Sequence, residues 1–400
     1  MVQNDTRTSM RERLLILPLA ISRGITNLPT LVVSILLIEI ATSYNITPAV
    51  AGQLNTAASL LAIIFALIMG ILSIKYDNRN ILILGLFLYV FSIASSFLAG
   101  SLYILLPLFA ITGIARAMID PMINSLIGIH IPAEKRTSVI GYTVGSLAFI
   151  YVIGSLSAAY LSKMMDWHLT LLLIVAPISI ITIILALYLI PQVKSQVKDS
   201  STRYLLSGYR ESLGNRSVLA CLVGTAIGMA TWNIYLIYHA SFMRQTFSVS
   251  ASFVSQVIIF FSFTYIFGSL ITGRLAKKFG KKTLTVGTMS LLSFFSVFSM
   301  IVNNLYLVIG IGIVACLFAG MLITIQTSLT LDQVPQFRGT VMSLQSAAVS
   351  FGSMVSAMVG GIIISYLGYG AYAITMGLIG FIGAIVFHFF SKDPTNMTLH

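Results

Sequence analysis

Charged side chains are scarce in this chain: 11 acidic and 23 basic residues among 400, or 8%, where an ordinary soluble domain carries about 25%. A water-soluble fold of this length could not cover its surface with so few charges, so that class is excluded. Cysteine is almost missing. Cys221 and Cys316 sit far apart inside apolar runs, which supplies neither a disulfide framework nor a metal spacing. The five histidines, His130, His168, His239, His388 and His400, are scattered and form no metal pair. No Gly-x-x-x-x-Gly-Lys-Ser/Thr loop occurs, so the chain lacks a nucleotide-driven motor of its own. No nucleophile, base or metal set marks an enzyme, and no cofactor is expected.

What the chain has instead is apolar surface, 57% of its residues. At roughly 20 apolar residues per membrane-spanning helix, this suffices for about eleven or twelve spans. Breaks at charged residues and at Gly, Pro and Asn clusters divide the chain into spans 1 to 12 at about 14–39, 47–73, 80–99, 102–129, 137–162, 168–190, 217–241, 249–273, 283–302, 304–330, 339–366 and 369–390. The expected fold is an all-α integral membrane protein. Its spans are rich in Gly, Ser and Ala, which suits close helix packing in lipid. Short alternating segments are missing, which excludes a β-barrel. Arg11-Glu12-Arg13 ahead of an apolar run has the look of a signal peptide, but Arg23 interrupts the run and no small-residue cleavage site follows, so it is read as a retained first span.

The basic residues orient the chain. Arg7, Arg11 and Arg13 precede span 1, Lys75 and Arg79 follow span 2, and Lys135 and Arg136 follow span 4. Lys194, Lys198, Arg203, Arg210 and Arg216 lie between spans 6 and 7. Arg274, Lys277, Lys278, Lys281 and Lys282 follow span 8, Arg338 follows span 10, and Lys392 follows span 12. Lys163 and Arg244 alone fall on the other side, while Arg23 and Arg116 lie within spans. The positive-inside rule then predicts a multi-pass protein of the cell membrane with both termini cytoplasmic. The net charge of +12 reflects orientation and implies no nucleic-acid partner.

The predicted organisation is a cytoplasmic tail 1–13, a six-helix half 14–190, a cytoplasmic linker 191–216, a six-helix half 217–390 and a tail 391–400. In the linker, Leu205, Leu206, Tyr209 and Leu213 recur at helical spacing among Arg203, Arg210 and Arg216, the pattern of a short helix on the membrane surface. A plain connection is the simpler reading, a regulatory role the other.

The halves repeat. Gly70-Ile-Leu72-Ser-Ile74-Lys75-Tyr76-Asp77-Asn78-Arg79 aligns with Gly273-Arg-Leu275-Ala-Lys277-Lys278-Phe279-Gly280-Lys281-Lys282, an offset of 203 residues. The same offset carries Pro132, ahead of Arg136, onto Pro335, ahead of Arg338, with one residue of slippage at the arginine. Duplicated halves are the plan of many secondary transporters.

These residues resemble the major facilitator superfamily, whose loop after the second helix reads Gly-x-Leu-Ala-Asp-Arg-x-Gly-Arg-Arg/Lys and recurs in the second half. The Pro-x-x-x-Arg and Pro-x-x-Arg-Gly motifs and Asp166-Trp167 ahead of span 6 are also similar to the family. The resemblance implies twelve transmembrane helices in two pseudo-repeated halves, a cavity lined by helices 1, 4, 7 and 10, and gating loops at Gly70, Lys75, Asp77, Arg79, Arg136, Gly273, Lys277, Gly280, Lys281 and Arg338. Two departures stand out. Ile74 and Lys277 occupy the position where the family has an acid that latches the cytoplasmic side, and Asp77, about one helical turn on, is the expected substitute if the helix continues. Gly154-Ser155-Leu156-Ser157 lacks the proline of the helix 5 motif of drug exporters in this family.

Ionisable groups inside a bilayer are costly and mark function. Arg23 in span 1 and Arg116 and Asp120 in span 4 are expected at one depth, roughly 13 Å from the cytoplasmic side at 1.5 Å per residue. Asp120 is expected to pair with Arg116, its i,i+4 neighbour, or with Arg23. Shifted by 203, the three fall on Ala226, Ala319 and Ile323, so the shared architecture does not require them. A guanidinium fork suits a carboxylate or phosphate. The expectation is a small organic anion bound through Arg23, Asn27, Arg116 and Asn124, with Asp120 as the proton-coupling carboxylate. Trp232, Tyr235 and Thr324 are the candidates from the second half; aromatic packing is the plainer role for Trp232. His239 is expected at the outer boundary, as an interfacial residue. The expected partners are a small-molecule substrate, protons and the lipid bilayer, around a monomer. A drug/proton antiporter and a non-transporting receptor or scaffold are the alternatives.

Overall fold

The computed structural model describes residues 2–46, 53–162, 164–192, 202–249 and 251–393. Lys163, Lys194, Lys198, His400 and the start of span 2 lie outside the described residues, as do the side chains of Arg7, Arg11, Arg13, Arg203, Leu205 and Leu206. Among the described residues the chain is helical, without a strand. Spans 2 to 6 are Gln53–Lys75, Asn78–Ser95, Leu102–His130, Ala133–Leu161 and Trp167–Leu189. Within the linker Thr202–Gly214 is helical, and Arg216–Asn233 opens span 7. Spans 8, 9 and 10 are Ala251–Phe279, Lys281–Ser299 and Leu305–Leu331. Spans 11 and 12 share Arg338–Phe390, interrupted at Gly368, whose φ of 83° breaks the helix.

Eleven helices among the described residues are long and apolar enough to cross a bilayer. The span 9 helix is not among them, although the sequence reads as a span there. Its apolar residues are interleaved with Thr283, Thr285, Thr288, Ser290, Ser293 and Ser296. Several of these hydroxyls bond back into their own helix, as Thr285 does to the Lys281 carbonyl at 2.8 Å and Ser293 to the Met289 carbonyl at 2.7 Å. Paired in this way, they are tolerated among neighbouring helices.

Two compact units divide the chain. One comprises Met1–Ile131, Ser146–Tyr209 and Phe337–Ala347, and the other Pro132–Gly145, Arg210–Gln336 and Ala348–His400. The start of span 5 thus belongs with the second unit and the start of span 11 with the first. In the first unit an apolar core joins Leu28, Val32, Phe109, Trp167 and Leu171. Asp166 caps span 6 by accepting the Leu169 N–H at 2.8 Å, and Trp167 donates its indole N–H to Ser43 Oγ at 3.1 Å. This ties the far end of span 1 to the head of span 6.

Candidate functional site

Span 1 is not a continuous rod. Pro29 has no N–H for the Ile25 carbonyl, and its ring crowds that carbonyl. The helix Val2–Ile25 therefore stops and Leu28–Ile35 begins afresh, leaving Thr26 and Asn27 in an open turn. Asn27 stands at the N-cap with φ −118° and ψ 9°, yet its side chain caps nothing. Its Oδ1 accepts Arg116 Nη1 at 3.0 Å instead. The Thr26 carbonyl freed by the break accepts the hydroxyl of Tyr89, a fully buried residue of span 3.

Span 4 brings the other half of the cluster. It meets span 2 at Gly113, where a Cβ would lie 2.6 Å from the Ala58 carbonyl carbon, so glycine alone permits the approach. The next residue of span 2, Ser59, accepts Arg116 Nη2 at 3.5 Å. One turn beyond Arg116, Asp120 Oδ1 accepts Arg23 Nη1 at 3.0 Å, with side chains 20% and 11% exposed respectively. Arg23 is therefore the partner of Asp120, and Arg116 meets no carboxylate among the described residues. Asn124, buried one turn further along span 4, leaves its Oδ1 unpartnered. The cluster thus holds one ion pair and one guanidinium supported by neutral oxygens, a net charge of +1 in low-dielectric surroundings, where an anion finds both Coulomb attraction and donors.

The second-half candidates lie in another environment. Span 7 passes through a π-helical turn at Ile234–Tyr238 before continuing as His239–Phe247. Trp232 stacks on Tyr235 with centroids 5.7 Å apart and on Tyr265 at 5.4 Å, so both candidates are buried in an aromatic stack. Thr324 donates to its own helix, at the Gly320 carbonyl. His239, directly after the apolar stretch Arg216–Tyr238, is 1% exposed and packed against Tyr235, Phe242 and Phe261, and neither ring nitrogen has a partner. The π turn adds a residue to the helical circuit and rotates His239 away from the face that regular spacing assigns.

The basic loops form two different fastenings. In the second unit, Asp332 at the end of span 10 accepts Arg136 Nη1 at 2.9 Å and also pairs with Lys281. Asp393 accepts the Lys281 N–H at 2.8 Å, capping span 9, and Gly280 precedes that cap with φ 80°. Gly273 packs on Ser138 of span 5, and Lys277 is exposed. In the first unit two of the contacts are between neutral groups. Asn78, at the repeat position of Lys281, donates to Ser125 Oγ at 2.7 Å. Thr340 donates to the Gly70 carbonyl at 2.8 Å, just after Arg338 opens span 11. Arg79 is buried against the last turn of span 6, donating to the Leu187 carbonyl. Lys75 closes span 2, its ammonium 5.4 Å from the Tyr76 ring.

Asp77 does not act as a latch acid. The span 2 helix ends at Lys75, and Asp77 turns to φ −63°, ψ 126°, where its carboxylate accepts the Arg79 N–H and caps span 3. Ser59, Tyr89, Asp332 and Asp393 escape the sequence reading. For the two acids a signal exists, since acids number only 11; for Ser59 and Tyr89 none does.

A bundle of apolar helices built from two repeats, with charges kept inside its spans, is the architecture of a secondary transporter. The family model described as Major Facilitator Superfamily matches residues 19–225 and 220–399. The chain belongs to that superfamily. It is a multi-pass membrane transporter, and not an enzyme. Among its relatives is an MFS-type transporter of uncharacterized function, YceJ, from Bacillus subtilis (strain 168), 23% identical over 83% of this chain and 84% of that one. Another is a probable sugar efflux transporter from Haemophilus influenzae (strain PittGG), 24% identical over 88% and 87%. Among solved structures, the proton:xylose symporter XylE, bound to 6-bromo-6-deoxy-D-glucose, superposes with a TM-score of 0.79 at 14% identity, covering 96% of this chain and 97% of that one. The human organic anion transporter MFSD10 gives a TM-score of 0.76 at 13% identity, covering 94% and 99%. At these identities the structures speak for the fold alone.

Proposed function

We propose that the protein carries a small organic anion across the cell membrane by alternating access, coupled to protons. The observation that carries this reading is the state of Arg116: its guanidinium rests on Asn27 and Ser59, both neutral, so its charge is left for a ligand. Arg23 is engaged by Asp120. Protonating Asp120 releases Arg23, and the substrate anion then meets two arginines instead of one. Anion and proton enter together, which is symport. Arg23, Asn27, Arg116 and Asn124 are the proposed substrate contacts and Asp120 the proposed proton carrier. The net charge of +1 argues against cationic drugs as substrates.

A second reading, a neutral sugar, is favoured by the name of the Haemophilus influenzae relative and by the amides and hydroxyl around Arg116. The basic loops support cytoplasmic termini, and one chain supplies the whole guanidinium cluster, consistent with a monomer. A thermal-shift panel of carboxylates, phosphates, amines and sugars on the purified protein, followed by proteoliposome uptake of each hit, tests the reading. Carboxylate or phosphate hits lost in Arg116→Ala are expected. Anion binding that persists in Arg116→Ala, or hits confined to neutral sugars or amines, overturns it.

A further inference from the structure

We infer that the linker helix Thr202–Gly214 is a working part of the transport cycle, in which Tyr209 fastens the end of span 2 to the start of span 11 in place of the acid that the loop after span 2 lacks. The inference needs only that the protein alternates between states, and is independent of the substrate proposed above.

The fastening is built at one turn of the helix. Tyr209 donates its hydroxyl to the Leu67 carbonyl of span 2. Its ring covers Gly70, where a Cβ would come within 2.7 Å of Tyr209 Cζ, so the ring fits only because residue 70 has no side chain. The Gly70 carbonyl, on the same turn, accepts Thr340 Oγ1 from span 11 at 2.8 Å. Gly208 faces the same seam: a Cβ there would stand 3.0 Å from Phe337, 3.1 Å from Ile74 and 3.1 Å from Thr340 Oγ1. A single Gly-Tyr step thus faces span 2 at Leu67, Gly70 and Ile74, Phe337 just ahead of span 11, and Thr340 within it.

Ile74 explains why this device exists here. It occupies the position of the family's latch acid, and Asp77, the only nearby carboxylate on the loop, is committed to capping span 3. Ile74 offers an apolar surface to Gly208 at this point. The other unit has a charged fastening at Arg136, Asp332 and Lys281, in contrast to the phenol and hydroxyl contacts at Gly70. Burial pushes the Tyr209 phenol up to about 12, so it stays protonated and remains a donor throughout the working pH range. A plain linker would need only to connect spans 6 and 7; it would not need a phenol seated over a glycine on a third span.

The test uses the full chain in proteoliposomes with one added reporter, Ser73→Cys. Ser73 is half-buried and faces Gly339 across this seam, its Cβ 2.6 Å from where a Gly339 Cβ would stand, so a thiol at this position has a basal labelling rate that rises when the seam opens. The native Cys221 and Cys316 are buried and serve as the folding control, since they stay unlabelled in any folded variant. Tyr209→Phe keeps the ring and removes the donor; one hydrogen bond corresponds to a rise of about 2- to 10-fold in the rate at which maleimide labels the reporter thiol. Thr340→Val is expected to act in the same direction, and Tyr209→Ala to exceed both. A labelling rate unchanged in Tyr209→Phe and in Thr340→Val, with Cys221 and Cys316 still protected, overturns the inference. Should Tyr209→Ala expose the buried cysteines, the two milder variants decide the question.

Discussion

Replacing Asp120 by asparagine isolates the exchange on which the coupling scheme depends. The Arg23–Asp120 contact is 3.0 Å long, and two unit charges about 4 Å apart attract by about 4 kcal/mol at an effective dielectric near 20. The side chains are 11% and 20% exposed, and screening by that solvent brings the usable part down to about 2 kcal/mol. An entering anion must compete with Asp120 for Arg23. Removing the carboxylate returns about 2 kcal/mol to anion binding, so Kd falls about 30-fold at neutral pH. The ligand-free protein loses stability, because Arg23 is left without a counter-charge, and the thermal rise on adding ligand grows in proportion to the tighter binding. Two assays read this. Equilibrium binding across pH gives the affinity, and proteoliposomes give transport: Asp120→Asn is expected to retain counterflow exchange and lose accumulation driven by a pH gradient. Unchanged affinity together with full proton-driven accumulation refutes the competition scheme.

Arg116→Lys keeps the charge but loses the fork that reaches Asn27 and Ser59 together; anion affinity is expected to drop about 10- to 100-fold, a loss of about 1.4 to 2.8 kcal/mol in the same binding assay. Gly113→Ala inserts a methyl against the Ala58 carbonyl and should cost about 1–3 kcal/mol by overpacking, seen as a lower unfolding midpoint in detergent; an unchanged midpoint would show that spans 2 and 4 pack more loosely than this contact requires. Asp332→Asn leaves Arg136 and Lys281 sharing no carboxylate at that point, with an expected loss of about 3–5 kcal/mol. Here raised salt should narrow the gap to the parent protein if charge is the cause.

The spans, the repeat and the importance of Arg23, Arg116 and Asp120 are legible in the sequence because charge is so rare in it that each intramembrane instance stands out. The pairing is less legible. An i,i+4 spacing places Arg116 and Asp120 on one face, but which guanidinium reaches the carboxylate depends on the open turn at Thr26 and Asn27, which swings Asn27 toward Arg116 and leaves Asp120 to Arg23. Asp77 misleads for a similar reason: one helical turn past Ile74 has meaning only if the helix continues, and it stops at Lys75. His239 illustrates a third limit. Regular periodicity assigns it to one face of span 7, and the π turn at Ile234–Tyr238 turns it onto another, among the rings of Tyr235, Phe242 and Phe261. Contacts such as Ser59 with Arg116, or Tyr209 with Leu67, join helices whose relative rotation no single-chain pattern encodes.

The breaks in span 1 bear on how the protein meets its lipid. A straight hydrophobic rod answers a thicker or thinner bilayer by tilting as a whole, which would shift any group along it. Span 1 has joints at Thr26-Asn27 and again at Leu36, and the first joint is itself pinned, to span 3 through Tyr89 and to span 4 through Arg116. The pieces on either side can absorb the mismatch while the pinned joint keeps its depth. Transport should accordingly vary little with acyl-chain length, and a variant that straightens the joint, such as Pro29→Ala, should make it sensitive to membrane thickness.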